Sequence, residues 1–456
     1  MFPIQLGQMA SLLGGRLIRG NPRTPVRHTV YGGTRYLRDG VVLILHPKQN
    51  VQRQLKGLYE KKSAGVIVPQ GWQHRIPSSH AVITVPDTNQ AMWTLVRWQR
   101  AKSKAIFIGI TGSAGKTTTK EMTAVIAAQR YRTLKSYANN NLASLLHYHL
   151  LRLTPRHQVA VLEMGMASLG NIRKQCLYAK PSIGVVTNVG EAHVGSLGSS
   201  LANVVRAKQE MVDGVQPGGT LILNVDDPGT RKLNTRRFRG RILTFGIKHP
   251  ATVRGSHIQY TKAGMTFRVG GALYQIPTWG HHNVYNALAA ITIGRQLGVS
   301  VPAIQQALRT FPVPKMRLQR LRGRRQWLLI NDAYNANPTS MEAGLGVLRR
   351  VAGKGHSVAV LGDMHELGKF TQKGHRDVGR VAANLRPSLL ITVGPQAAQI
   401  AKAAVTAGYP ANQTRSFANH PAKIAAFIYK NVPAGSTLYF KASRKVELER
   451  VVKRLR

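Results

Sequence analysis

Carboxylates are scarce in this chain: 17 Asp and Glu stand against 65 Lys and Arg in 456 residues, a formal net charge of +48. Charged residues of both signs reach only 18%, below the ~25% of an average globular chain. The basicity therefore comes more from missing acids than from added cations, which weighs against a nucleic-acid binder with basic tails. Cysteine is represented once, by Cys176, which excludes an internal disulfide framework and a Cys-rich zinc module. No apolar run approaches the ~18–20 residues of a membrane span. The start, Met1-Phe2-Pro3-Ile4-Gln5, lacks the basic opening and continuous apolar stretch of a secretion signal. Fixed-period repeats and low-complexity tracts are missing too. The expectation is a cytoplasmic protein. With 43% hydrophobic residues the chain is not disordered, and its length suggests about two to four domains.

The pattern predicts an α/β fold in three domains. Residues 1–103 hold short strand candidates, Val41–Leu45, Gly65–Pro69 and Ala81–Pro86, and a helix candidate, Thr88–Lys102: a small N-terminal α/β domain. Residues 104–311 alternate strand and helix, with Ala105–Thr111 leading through a Gly-rich turn into a helical stretch, Lys116–Arg130. Further strands are expected at Val159–Met164, Ile183–Val189 and Thr220–Val225, which together read as a P-loop-type parallel sheet. Met265–Ile276 alternates more and reads as an antiparallel edge. Thr310-Phe311-Pro312-Val313-Pro314 reads as a linker, because two prolines break both helix and central strand. Residues 312–456 then resume, with strands expected at Trp327–Asn331, Val358–Leu361, Leu389–Val393 and Thr437–Lys441, as a Rossmann-like α/β domain.

The sharpest local signal is Thr111-Gly112-Ser113-Ala114-Gly115-Lys116-Thr117-Thr118-Thr119 after a buried strand. Such a turn points backbone N–H groups and the positive end of a helix at phosphates. Lys116 would reach the β- and γ-phosphates and the Thr117 hydroxyl would ligate Mg²⁺. The usual spacing asks for Gly at position 110, where Ile110 stands. A magnesium ion needs further hard ligands. Glu163, Glu191 and His193 sit just past strand candidates, where open parallel sheets bind ligands; on spacing alone each serves equally as a cap, a surface charge or a satisfied structural residue.

These segments together resemble the Mur ligases, ATP-dependent amide-forming enzymes. The matching set is Thr111–Thr119, Glu163-Met164-Gly165, Thr187–His193, Arg206-Ala207-Lys208-Gln209-Glu210, Leu223–Asp227 and Gly280–Ala287. In the third domain, Asn331-Asp332-Ala333-Tyr334-Asn335-Ala336-Asn337-Pro338 and Leu361–Gly368 are similar to the branch that joins D-alanyl-D-alanine to a UDP-linked muramoyl tripeptide. The resemblance implies that Lys116 and Thr111, Gly112, Ser113, Ala114, Gly115, Thr117 and Thr118 hold ATP phosphates. It implies that Thr117 and Glu163 ligate one Mg²⁺, and that His193 and a carbamylated Lys208 support a second. Lys116, Lys208, His193 and Glu163 form the implied catalytic set. A free lysine is a cation and cannot ligate Mg²⁺, whereas CO₂ capping makes it an oxygen anion; the competing reading of Lys208 is an ordinary surface lysine. His282, Asn283 and Asn286 resemble the adenine-side segment. Asp332 and Asn335 resemble third-domain nucleotide and substrate contacts, and Arg317 resembles a linker arginine that meets phosphate. For Thr34, Arg35, Asn139, Asn141 and Asn337 the implied role is substrate contact, in competition with plain turn roles.

The implied chemistry converts a carboxylate to an acyl phosphate at the expense of ATP, and an amine then displaces phosphate. Cations neutralise the charge gathered when carboxylate meets triphosphate, and closure of the third domain excludes water. The first hundred residues depart from the family pattern: Val30-Tyr31-Gly32-Gly33-Thr34-Arg35 lacks the Asp of the UDP-binding motif, and the later Gly-rich loop is missing. A ligase with a changed acceptor, or a basic P-loop protein that binds an anionic polymer or membrane surface, therefore stands as the alternative. The expected partners are the UDP-linked muramoyl peptide and D-alanyl-D-alanine, with no nucleic acid. So positive a surface also attracts anionic membranes and carboxylate-bearing substrates; a monomer is expected. Eight of the 17 acids, Glu163, Glu191, Glu210, Asp226, Asp227, Asp332, Asp363 and Glu366, lie in the matched segments, as if carboxylates survive where chemistry or tight turns need them.

Overall fold

The computed structural model describes residues 1–190, 198 and 200–456. Its frame is three mainly parallel sheets. The first has the order Arg16–Arg19, Val82–Val85, Gly65–Pro69, Val41–Ile44 and His28–Tyr31, with only the Arg16–Arg19 edge antiparallel. Val41–Ile44 is buried on both faces, which is why its sequence is a continuous apolar run rather than an alternation.

The central sheet runs Ala272–Ile276, Gly264–Val269, Val253–Thr261, Arg241–Gly246, Thr220–Asn224, Ile183–Val186, Ile106–Thr111, Val159–Glu163 and Thr133–Lys135. The strand Ile106–Thr111 lies between Val159–Glu163 and Ile183–Val186, both parallel to it. The chain thus winds outward on both sides of that strand, and open α/β sheets bind ligands at such a switch point, beyond the strands' carboxyl ends. The stretch Met265–Ile276, expected as an antiparallel edge, is a hairpin turning at Gly270-Gly271 and pairing with Val253–Thr261. The strand expected over Ile183–Val189 stops at Val186, and beyond it the Thr187 and Asn188 side chains hold the neighbouring loop.

The third sheet has the order Gln319–Arg322, Leu328–Asn331, Thr437–Lys441, Ser357–Gly362, Leu389–Val393 and Thr414–Phe417, antiparallel only at its first strand. The helix Val301–Arg309 ends before the two prolines, and residues 311–314 belong to no helix or strand. One apolar cluster runs from Ile108 and Leu288 of the central unit to Ile330, Leu345 and Tyr439 of the third. Another joins Leu6 and Trp93 to Leu150, Met164 and Met211. Buried apolar surface at roughly 25 cal/mol per Å² is the main cohesive force here, and it fixes the carboxyl ends of the central strands opposite those of the third sheet. Among the described residues no helix is long and apolar enough to cross a membrane.

Candidate active site

The strand Ile106–Thr111 passes through Gly112–Gly115 directly into the helix Lys116–Ala127. Ile110 lies inside the strand and is fully buried, so the position read against the glycine spacing is a core position here. Two glycines are required by the space. A Cβ on Gly112 (φ 151°) would lie 1.9 Å from Thr187 Oγ1, and one on Gly115 (φ 80°) would lie 2.2 Å from Asn286 Oδ1. The loop is braced from the side. Thr187 Oγ1 donates to the Ala114 carbonyl at 2.6 Å, and the Ala114 N–H donates to Asn188 Oδ1 at 2.8 Å. Ser113 Oγ and the Gly190 backbone close the other end at 2.9 Å. Lys116 folds over this cradle, its ammonium donating to the Gly112 carbonyl at 2.7 Å. Burial pulls its pKa down, Glu163 pulls it back up, and Arg317 lowers it again. A cradle of this shape, with backbone N–H groups at a helix N-terminus and a lysine beside them, suits a polyphosphate.

Glu163 ends the strand beside the loop and is 3% exposed. Its Oε1 accepts from Asn141 Nδ2 at 2.7 Å and its backbone N–H donates to Ser136 Oγ at 3.0 Å. Its Oε2 is buried with no hydrogen-bond partner. A buried carboxylate oxygen left without a donor is costly, and a hard cation bound beside Thr117 would satisfy it. Among the described residues no group of three or more His, Cys, Asp or Glu could hold a metal by itself. A cation here would therefore draw on Thr117, Glu163 and phosphate oxygens. Glu191 and His193, read as candidates from the sequence, lie outside the described residues.

Lys208, on the helix Leu201–Gly214, is 1% exposed, not the surface lysine of the competing reading. Its amine meets the Thr111 hydroxyl at 3.4 Å and the Met166 sulfur at 3.3 Å. Burial, reinforced by the Lys116 ammonium and opposed by Glu210, drives its pKa well below the ordinary lysine value. A neutral buried amine is the form that can combine with CO₂, so the residue fits a carbamate. Glu210, half a turn further, accepts from the Gly170 and Arg173 N–H groups and so ties this helix to the loop after Glu163.

Two adjoining cavities, of about 290 and 520 Å³, open over the loop. Ser113, Ala114, Gly115, Thr118, Arg317 and Asn337 border both. The smaller also meets His282, Asn283, Asn286 and Asp332; the larger meets Lys116, Thr117, Glu163, Asn139, Asn141 and Asn335. The helix His281–Gln296 is placed by a chain of side-chain amides. Asn283 Nδ2 donates to the Trp279 carbonyl, Asn286 Nδ2 to Asn283 Oδ1, and Thr119 Oγ1 to Asn286 Oδ1. From the third sheet, Asp332 Oδ2 accepts from Lys441 at 2.5 Å and Tyr439 at 3.0 Å, while Oδ1 accepts from the Leu318 N–H at 3.1 Å. That last bond fixes the linker next to Arg317, whose guanidinium lies 4.2 Å over the Tyr334 ring.

Asn337 also caps the helix Pro338–Ala352, its Oδ1 accepting from the Ser340 N–H. Thr111, Gly112 and Lys208 border neither cavity. Thr34 and Arg35 border neither cavity; their carbonyls accept from Lys61. Lys441, Arg444, Tyr334 and Asn188, all cavity residues, were not singled out by sequence. Tyr334 and Asn188 lie in motif runs and Lys441 ends a strand candidate, but only tertiary packing turns these side chains inward.

The Mur ligase middle domain matches residues 110–294, and the Mur ligase glutamate ligase domain matches residues 316–444. The UDP-N-acetylmuramoyl-tripeptide–D-alanyl-D-alanine ligase of Bacillus subtilis is 31% identical over 452 residues, covering 98% of this chain and 97% of that protein. The protein of the same name from Synechocystis is 35% identical over 377 residues, covering 82% and 80%. The crystal structure of MurF from Acinetobacter baumannii aligns with a TM-score of 0.86 at 27% identity, over 99% of this chain and 98% of that one. MurF ligase from Thermotoga maritima, solved in complex with ADP, has the same fold, with a TM-score of 0.80 at 22% identity over 94% and 97%. The phosphate cradle, the buried carboxylate beside it and these matches agree: the chain belongs to the Mur ligase family of ligases.

Proposed function

We propose that this protein is an ATP-dependent, ADP-forming ligase that joins D-alanyl-D-alanine to a UDP-N-acetylmuramoyl tripeptide. The observation that carries the reading is Glu163: a buried carboxylate with one oxygen that no hydrogen-bond donor reaches, beside a glycine-fitted phosphate cradle and its lysine. Similarity to proteins named for this reaction, over nearly the whole chain in one case, supports the choice of substrates.

In this reading ATP lies with its phosphates along Gly112–Thr118 and its base towards His282, Asn283 and Asn286. The peptide carboxylate enters the larger cavity, where Lys116, Arg317 and Lys441 offset the repulsion between carboxylate and triphosphate. A carboxylate oxygen attacks the γ-phosphorus, the bond to the β–γ bridging oxygen breaks, and ADP leaves. The neutral amine of D-alanyl-D-alanine then attacks the acyl carbon, the C–O bond to phosphate breaks, phosphate departs, and the proton lost from nitrogen passes to phosphate or solvent. Thr117 and Glu163 would hold one Mg²⁺, and a Lys208 carbamate with His193 a second; bound Mg²⁺ supplies charge neutralisation at the transferring phosphoryl group. The carbamate arises when the neutral Lys208 nitrogen bonds to the carbon of CO₂ and releases a proton to solvent.

Residues 1–103 serve as the UDP-substrate unit, 104–311 as the ATP unit and 312–456 as the closing unit. The protein works as a cytoplasmic monomer, in keeping with the substrates. ADP release, followed with each substrate withheld in turn, is the test. It rises only when UDP-muramoyl tripeptide and D-alanyl-D-alanine are both present; a rate indifferent to both removes this assignment.

A further inference from the structure

Lys120 lies one turn beyond Lys116 on the phosphate-loop helix and is 0% exposed, in a chain whose cations are mostly at the surface. Burying an ammonium is costly unless its hydrogens find acceptors, and here three acceptors surround it. It donates to the Ser136 carbonyl at 3.1 Å and the Ala138 carbonyl at 2.6 Å, and it pairs with Glu121 Oε1 at 2.8 Å. Its nitrogen also forms a long ion pair, at 4.0 Å, with Glu163 Oε2, the oxygen that no hydrogen-bond donor reaches.

The two carbonyls belong to the segment that delivers Asn141. Ala138 is held there in the left-handed region, at φ 47°, a conformation unfavourable for a β-carbon-bearing residue, which needs an anchor. Ser136 Oγ receives the Glu163 N–H, and Asn141 Nδ2 grips Glu163 Oε1. Every hydrogen bond that orients Glu163 from this side therefore comes from a segment fastened by Lys120. An apolar side chain of similar length would fill the space without making the fastening.

We propose that Lys120 is a positioning residue: it anchors residues 136–138, and through Ser136 and Asn141 it holds Glu163 with Oε2 presented to the metal. The proposal rests on the reading of Glu163 as a Mg²⁺ ligand. Its test is calorimetric ADP binding with and without Mg²⁺ for wild type, Lys120→Gln and Lys120→Met, beside thermal melting and the Mg²⁺ dependence of turnover.

The gain in ADP affinity brought by Mg²⁺ falls about tenfold in Lys120→Met, and less in Lys120→Gln, whose amide still donates to carbonyls. Metal-free ADP affinity stays within about twofold of wild type, and excess Mg²⁺ restores turnover, because an outer ligand sphere tunes affinity rather than chemistry. A folded Lys120→Met with the wild-type Mg²⁺ response overturns the proposal. So does an equal loss of metal-free ADP binding, which marks a disturbed phosphate loop. If neither lysine variant folds, Ser136→Ala decides: it must weaken the Mg²⁺ response, and an unchanged response overturns the proposal. Wild-type ADP binding indifferent to Mg²⁺ would strike the Glu163 reading instead.

Discussion

Replacing Lys208 with methionine separates what the buried amine does for the reaction from what it costs the fold. Lys208 is 1% exposed and meets only a hydroxyl and a thioether among the described residues. Burial, with Lys116 adding to it, holds its pKa well below the ordinary lysine value. The unfolded chain therefore binds a proton on this lysine that the native state sheds, so stability rises with pH between the depressed native pKa and the ordinary value of about 10.4. One proton corresponds to about 1.4 kcal/mol per pH unit. Urea unfolding in CO₂-free buffer should then show wild type gaining stability on Lys208→Met as pH rises from about 8 to about 10, at no more than that slope. Titrations common to both proteins cancel in that difference. Lys208→Met should have lost ligase turnover, and bicarbonate should stabilise wild type alone, because only the native amine can be capped. Stability differences that stay parallel across that pH range would refute the depressed amine and remove the physical basis for a carbamate.

Three further outcomes follow from the geometry. Gly115→Ala places a methyl 2.2 Å from Asn286 Oδ1 at φ 80°, and calorimetry should find ADP affinity reduced at least tenfold, with about 1–2 kcal/mol of backbone strain. Asp332→Asn leaves the buried Lys441 without its counter-charge, so chemical denaturation should record a loss of about 3 kcal/mol, and kcat/KM for ATP should fall as the Arg317 linker loosens. Asp226 accepts from the Ile247, Lys248 and His249 N–H groups and from the Tyr285 hydroxyl. Burial raises its pKa, but these donors outweigh it and hold the carboxyl well below the usual range. Asp226→Asn should therefore cost about 2 kcal/mol at neutral pH, and the difference should shrink as pH falls below about 4, towards the native-state value.

The central strands were legible because they are buried on both faces: Val159–Glu163 and Thr220–Asn224 hold the apolar runs 159–162 and 221–223. Three polar edge strands were not. Arg16–Arg19, Gln319–Arg322 and Thr414–Phe417 carry charge or polar groups on their open faces, as edges must to avoid pairing with another chain. The phosphate loop announced itself because glycine, lysine and threonine occupy positions that tolerate little else. Asn188 and Lys441 did not, since nothing local distinguishes a bracing asparagine or a buried lysine from their surface counterparts. Lys120 is the extreme case, one more cation in a strongly basic chain until its three acceptors are located. The scarcity of acids also gains a structural meaning. Glu210, Asp226, Asp227, Asp332 and Asp363 each accept from backbone N–H groups, so these carboxylates act as internal fixtures, while the surface does largely without them.

Oxygen transfer tests the central claim most directly. A UDP-muramoyl tripeptide labelled with ¹⁸O in the carboxylate that accepts D-alanyl-D-alanine is turned over with ATP, and both products are weighed by mass spectrometry. The account predicts that the amide product loses one labelled oxygen and that the released phosphate carries it, in step with ADP. Unlabelled phosphate, or ADP formed without the amide, would contradict it.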